Sequence, residues 1–166
     1  VQYLINQGRK KIALVTTVDY VSVGKLRTDG YIKALQDNNI AFDENLIIKI
    51  EDVDTCEITI SKLLADKVID AVFAVNELFA VTILKTAHKM NLIVPKDLAI
   101  IAFTDGIISK YSTPTITTVS QSGIKMGKKA AEILIARLES EEDDNDEEIY
   151  KTEIIETHLI ERESTD

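Results

Sequence analysis

Short apolar runs alternate with longer stretches of helical periodicity along most of the chain. Lys11-Ile12-Ala13-Leu14-Val15-Thr16 is nearly continuous in apolar character, the pattern of a strand buried on both faces. Residues 23–38 carry apolar or small groups at Leu26, Gly30, Tyr31, Ala34 and Leu35, close to helical spacing. Leu46-Ile47-Ile48-Lys49-Ile50 predicts a second strand, and residues 56–67 a second helix with Ile60, Leu63 and Leu64 as its buried stripe. Ile69–Val75 predicts a third strand. Residues 77–90 predict a third helix, with Ala80, Ile83, Leu84 and Ala87 at i, i+3, i+4, i+7. Leu98–Phe103 completes the series as a fourth strand. Strands separated by helices of this length need crossover connections, so an α/β fold on a parallel sheet is expected.

The rhythm changes after Phe103. Residues 104–114 look like loop, and the β-branched run Thr115–Val119 like a strand. Residues 124–139 are strongly patterned as a helix, with Met126, Ala130, Ile133 and Leu134 on one stripe and Ala131, Ile135 and Leu138 beside it. An apolar face that broad needs more cover than one sheet edge supplies. The acidic run from Glu139 to Glu148 is broken only by Ser140 and Asn145 and reads as a solvated loop. It lacks the central glycine and ligand spacing of a calcium loop. A last strand is expected over Tyr150–Ile160, and no internal repeat is evident.

Composition narrows the function classes. The chain has 166 residues, 45% hydrophobic and 28% charged, enough for one domain with its own core. No apolar run approaches the roughly 20 residues that span a bilayer. The net charge of −9 repels a phosphate backbone. The basic groups Arg9-Lys10-Lys11 and Lys125, Lys128 and Lys129 are not interleaved with aromatics, so direct nucleic-acid contact is not expected. Cys56 is the only cysteine, which excludes an intramolecular disulfide, argues against a cysteine-based metal site and fits a reducing cytoplasm. The opening Val1-Gln2-Tyr3-Leu4 has neither a starting Met nor a basic segment leading into an apolar stretch. It reads as a piece cut from a longer protein without a visible signal peptide.

Ligands of parallel sheets bind beyond the carboxyl ends of the strands, where helix N-termini also point. Strand one is followed by Asp19 and Tyr20, with Arg27 early in the next helix; strand three by Asn76 and Glu77; strand four by Thr104 and Asp105. Short polar groups plus one guanidinium suit a polyhydroxylated ligand, because amides and carboxylates bridge vicinal hydroxyls and arginine supplies a rigid donor fork. From position alone, Asn76 and Asp105 serve equally well as caps of the following segments, and Arg27 as a partner of Asp29 or Asp19. Neither histidine falls in the set: His88 lies late in the third helix and His158 in the last strand. No glycine-rich phosphate loop and no nucleophile elbow is present. No catalytic residue, metal ligand or cofactor is therefore expected.

Several segments, in order, resemble the effector domain of lactose-repressor/galactose-repressor (LacI/GalR) transcription regulators. They are Tyr3-Leu4-Ile5-x-x-Gly8-Arg9-Lys10-Lys11-Ile12-Ala13, Arg27-x-x-Gly30-Tyr31-x-x-Ala34-Leu35, Ile69-Asp70-Ala71-Val72-Phe73-Ala74-Val75-Asn76 and Val94-Pro95-Lys96-Asp97-Leu98-Ala99-Ile100. They continue with Pro114-x-Ile116-Thr117-Thr118-Val119-x-Gln121, Met126-Gly127-x-x-Ala130-Ala131 and the closing Thr157-His158-Leu159-Ile160-Glu161-Arg162-Glu163-Ser164-Thr165. The resemblance runs over essentially the whole chain. It implies a Rossmann-like subdomain of a type I periplasmic-binding-protein-like fold, with most of the N-terminal subdomain and the helix-turn-helix headpiece outside the sequence.

On that likeness residues 1–119 are the C-terminal effector subdomain, with the end of a preceding helix. Residues 120–149 are a helix and acidic loop of the truncated N-terminal subdomain, and 150–166 a return strand and tail. Arg27, Asn76 and Gln121 match family positions that face the sugar. Thr104 stands where the family usually has a sugar-chelating Asp, in Ala102-Phe103-Thr104-Asp105, and Glu77 replaces the usual Asp after Asn76. The family's dimer contacts map to Leu78, Val81, Ile107, Ile108 and Tyr111. The implied partners are a small effector, a sugar or sugar phosphate, a second copy in a homodimer, and DNA only through the missing headpiece. A protein co-repressor is a further partner that some relatives use. A transporter's periplasmic sugar-binding protein shares the fold, but the segment from Pro114 to Gln121 and the Arg162-Glu163-Ser164-Thr165 ending argue against it. An enzyme on a doubly wound sheet would need a phosphate loop, a nucleophile or a positioned base, and none is present.

Overall fold

The computed structural model describes residues 1–18, 22–66, 68–139 and 152–166. In chain order its elements are α1 (Gln2–Asn6), β1 (Ile12–Thr17), α2 (Ser22–Asp37), β2 (Ile47–Ile50), α3 (Cys56–Asp66), β3 (Ala71–Ala74) and α4 (Glu77–Lys89). There follow β4 (Ala99–Phe103), α5 (Ile107–Tyr111), β5 (Thr117–Ser120), α6 (Gly123–Glu139) and β6 (His158–Ile160). The strands form a six-stranded sheet in the order β2-β1-β3-β4-β5-β6. β1 to β5 are parallel, and β6 closes the edge antiparallel to β5, with Val119 opposite Leu159.

The near-continuous apolar runs are what a sheet covered on both faces demands. β3 is buried throughout, β4 in all but its last residue, and β1 from Ile12 to Thr16. From β1 the chain moves outward to β2, then returns past β1 to β3 and onward to β4. Right-handed crossovers therefore put α2 on one face and α3 and α4 on the other. Ile60, Leu63 and Leu64 of α3 and Ala80, Ile83, Leu84 and Ala87 of α4 are buried, as their spacing predicts. Tyr31 of α2 is fully buried, and its hydroxyl donates to the Ile12 carbonyl at 2.8 Å.

Two polar ties fix the ends of this core. Gly8, at φ +88, ends α1 in the left-handed region, its amide donating to Ile5 O and the Arg9 amide to Leu4 O. Asp70 then accepts from the Lys10 and Lys11 amides at 2.8 and 3.0 Å, locking the entry of β1 against that of β3. At the other end of the sequence, the Ser164 hydroxyl donates to Ile100 O at 2.6 Å and accepts from the Thr117 amide at 2.8 Å. The tail thus stitches β4 to the start of β5.

Two expectations change, and others lie outside the described residues. The stretch 104–114 is not all loop, because it contains the one-turn helix α5. The Tyr150–Ile160 strand shrinks to His158–Ile160: β5 ends at Ser120, so nothing continues the ladder against residues 152–157. The acidic run is described only at Glu139. Residues 140–151 lie outside the described residues, as do Asp19 and Tyr20.

α6 matches its predicted span but not the burial of the other helices, since none of its residues is buried. Leu138 is 76% exposed, and Met126, Leu134 and Ile135 are also exposed. Among the described residues, nothing buries the apolar face that looked too broad for the sequence present.

Candidate functional site

The order of the sheet reverses between β1 and β3, which opens a crevice at their carboxyl ends. Arg27 reaches this point from the second turn of α2. Its Nη1 donates to Val75 O at 2.8 Å, and the guanidinium lies over the Phe103 ring at 4.2 Å from the centroid. Phe103 in turn tilts against Phe73, with ring centres 6.3 Å apart. A carbonyl on one side and an aromatic face on the other fix the plane of the guanidinium. Burial lowers its pKa from the ordinary arginine value. The Asp29 pairing is not found, since Arg27 forms no ion pair among the described residues; the Asp19 pairing lies outside them.

A cavity of about 700 Å³ opens on this face, and its largely apolar lining includes Arg27, Tyr31, Phe73, Phe103, Val119 and Gln121. Gln121 is half-buried just past the end of β5.

The other candidates divide. Asn76 is the N-cap of α4: its Oδ1 accepts from the Phe79 amide at 2.8 Å. Its NH2 group makes no hydrogen bond among the described residues, so capping leaves two donors at the crevice. Glu77 turns away to α5. Its Oε1 accepts from the Gly106 and Ser109 amides, both at 2.9 Å, and so caps that short helix from outside. The fit explains the glycine, because a Cβ at position 106 would sit 2.0 Å from Glu77 Oε2.

Asp105 is also committed. Its Oδ1 accepts from Arg162 Nη2 at 2.6 Å and Thr118 Oγ1 at 3.0 Å, and Lys110 Nζ lies 3.3 Å from Oδ2. Burial pushes its pKa up, but the Arg162, Thr118 and Lys110 contacts outweigh this and hold the carboxyl below its ordinary value. Thr104, the residue before it, is exposed at the end of β4.

The structure therefore brings Arg27 and Gln121 to one cavity, leaves Asn76 and Thr104 at the strand ends, and ties Asp105 into the fold. Sequence reasoning missed the Phe103 support under Arg27, the Glu77 cap of α5 and the Arg162–Asp105 pair. Each joins residues at least 29 positions apart, so no local spacing announces it.

The residues expected at a dimer contact lie on two adjacent helices. Leu78, Ile107, Ile108 and Tyr111 are exposed, Ile107 at 71% and Tyr111 at 83%, while Val81 is half-buried. Among the described residues, no three His, Cys, Asp or Glu side chains gather as metal ligands. No helix is long and apolar enough to cross a membrane among them.

A mainly parallel sheet with polar groups converging at its strand ends is the architecture of α/β proteins that bind small molecules beyond the sheet. The profile of the periplasmic binding protein-like domain matches residues 1–165, and the chain belongs to that family, in the form found in LacI-type transcription regulators. It is 36% identical to the HTH-type transcriptional regulator MalR of Clostridium butyricum over 166 residues, 99% of this chain and 48% of that protein. It is 28% identical to the HTH-type regulator CelR of Thermobifida fusca, over 98% of this chain and 47% of that protein. Among solved structures, a CelR–cellobiose complex superposes with a TM-score of 0.86 at 28% identity, covering 98% of this chain and 49% of that one. A LacI-family regulator from Sanguibacter keddieii superposes with a TM-score of 0.88 at 28% identity, covering 99% and 61%. The chain spans about half the length of the curated relatives it matches, so it is part of an effector-binding domain. The relatives are transcription regulators, which does not favour the transporter reading.

Proposed function

We propose that this chain is the effector-binding and dimerising part of a sugar-responsive bacterial transcription regulator, and that it catalyses no reaction. The observation that carries this reading is the Arg27 crevice, set at the reversal of strand order in a chain matched end to end by such regulators. Arg27, Asn76, Thr104 and Gln121 contact the effector; Asp105 holds the turn beside them. Residues 1–119 form one subdomain, and α6 belongs to a second whose remainder is outside the sequence. The exposed apolar face of α6 supports that division. In the whole protein, which acts in the cytoplasm, effector binding favours a closed pair of subdomains and so changes how a dimer presents its DNA-binding headpieces. The dimer forms through Leu78, Val81, Ile107, Ile108 and Tyr111, and Ile107→Glu should weaken it in sedimentation equilibrium.

A thermal-shift screen of the chain against sugars tests the site. A ligand at 100 times its Kd adds about 2.7 kcal/mol, or about 5–10 °C in a domain of this size. The shift given by a hit disappears in Arg27→Ala and shrinks in Asn76→Ala, each measured against its own unliganded melting temperature. A flat screen with a folded chain would sink the sugar reading and turn attention to a protein co-repressor.

A further inference from the structure

α5 is built inside out. A surface helix ordinarily turns its apolar side toward the core and its polar side toward water. In α5 the buried residue is Ser109, while Ile107, Ile108 and Tyr111 are exposed. The Ser109 hydroxyl has no hydrogen-bond partner among the described residues, so its burial does not serve the hydroxyl either. Apolar burial therefore does not hold this turn in place.

Polar contacts do. Glu77 Oε1 accepts from the Gly106 and Ser109 amides, and the Ser109 carbonyl accepts from the Ile116 amide at 2.9 Å. Lys110 is drawn to Asp105, away from the apolar side chains. The Glu77 contact is the one that ties α5 to α4, and its neighbour in sequence is the exposed Leu78. One carboxylate oxygen thus sets how the apolar residues of α5 stand relative to those of α4.

Charge points to the occupant of this face. Each copy carries −9, so two copies repel, and a contact between them needs a face free of uncompensated charge. The charged residues of α5 and of the first turn of α4 are Lys110 and Glu77, and both are engaged within the fold.

We infer that Glu77 is the positioning residue of the self-association surface: it holds α5 with Ile107, Ile108 and Tyr111 turned outward alongside α4, as an uncharged face for a second copy. This rests on the dimer reading and adds to it the residue on which the interface depends.

Sedimentation equilibrium of the 166-residue chain and its variants tests it. Glu77→Ala should raise the dimer dissociation constant at least about tenfold, because α5 must then be ordered in both copies before they dock. Glu77→Gln keeps an oxygen acceptor at the same reach and should stay within about threefold of wild type. Gly106→Ala attacks the same contact from the other side, since its Cβ would fall 2.0 Å from Glu77 Oε2, and should weaken the dimer as Glu77→Ala does. Ile60→Ala, in the core under α3, separates positioning from plain instability: it should lower the melting temperature at least as much yet leave the dissociation constant unchanged. A dimer weakened by Ile107→Glu but not by Glu77→Ala would overturn the inference and leave the dimer reading intact. Equal weakening by Glu77→Ala and Ile60→Ala would do the same. A chain that stays monomeric, or whose association ignores Ile107→Glu, would overturn both.

Discussion

α4 and α6 are both amphipathic helices with apolar residues at helical spacing, and the structure treats them in opposite ways. α4 buries Phe79, Ala80, Ile83, Leu84 and Ala87 against the sheet and its neighbour α3. α6 buries nothing, although Met126, Ile133, Leu134 and Ile135 make a stripe of similar quality. The difference lies in what faces them. Periodicity states that a helix has a face to hide; whether the face is hidden depends on a complementary surface within the same chain. For α4 the chain supplies the sheet, and for α6 it supplies nothing among the described residues.

The largest effects should separate the two regions by stability. Ile83→Ala or Ile100→Ala, each removing a fully buried side chain, should cost about 2–5 kcal/mol in denaturant unfolding. If Ile135→Ala cost as much, α6 would be packed after all and the contrast would fail.

Next is the tie between the β4 turn and the tail. Asp105→Asn leaves Arg162 partly buried without its counter-charge and should cost about 3 kcal/mol near neutral pH. Because the Asp105 carboxyl lies below its ordinary 3.8, the folded chain binds fewer protons there than the unfolded one. Its contribution is therefore complete above that value and is lost as pH falls through the depressed one. The gap between wild type and Asp105→Asn should close below pH 3.8, and a gap constant down to acid unfolding would refute the pairing.

A smaller loss, about 1.5–3 kcal/mol, is expected for Glu77→Ala, which removes the shared acceptor of two α5 amides. Faster hydrogen exchange at the Ser109 amide is the specific readout, and an unchanged rate would show that α5 holds without the cap. The smallest effect is predicted for Leu134→Ser on α6, within about 0.5 kcal/mol.

The same contrast explains how much was legible in the sequence. Five strands of the sheet, and four of the helices, follow from runs such as Ile12–Val15 and stripes such as Ala80/Ile83/Leu84/Ala87, because burial on a sheet imposes a local period. The over-wide face of α6 was legible for the same reason. α5 was not: its five residues carry too little periodicity, and its N-terminus is capped by Glu77 from another helix. The length of β6 escaped because it is set by where β5 stops. At the candidate site, residue type and position beyond a strand end pointed to Arg27 and Asn76. They could not show that Asp105 is consumed by Arg162, since the sign of that contact depends on the tail folding back across 57 residues.

Native-state amide hydrogen exchange of the 166-residue chain tests the account most directly. The account predicts that β1, β3 and β4 amides exchange only through global unfolding, while the amides of α6 exchange orders of magnitude faster through local opening. Protection of α6 as strong as that of β4, in a monomeric chain, would contradict it.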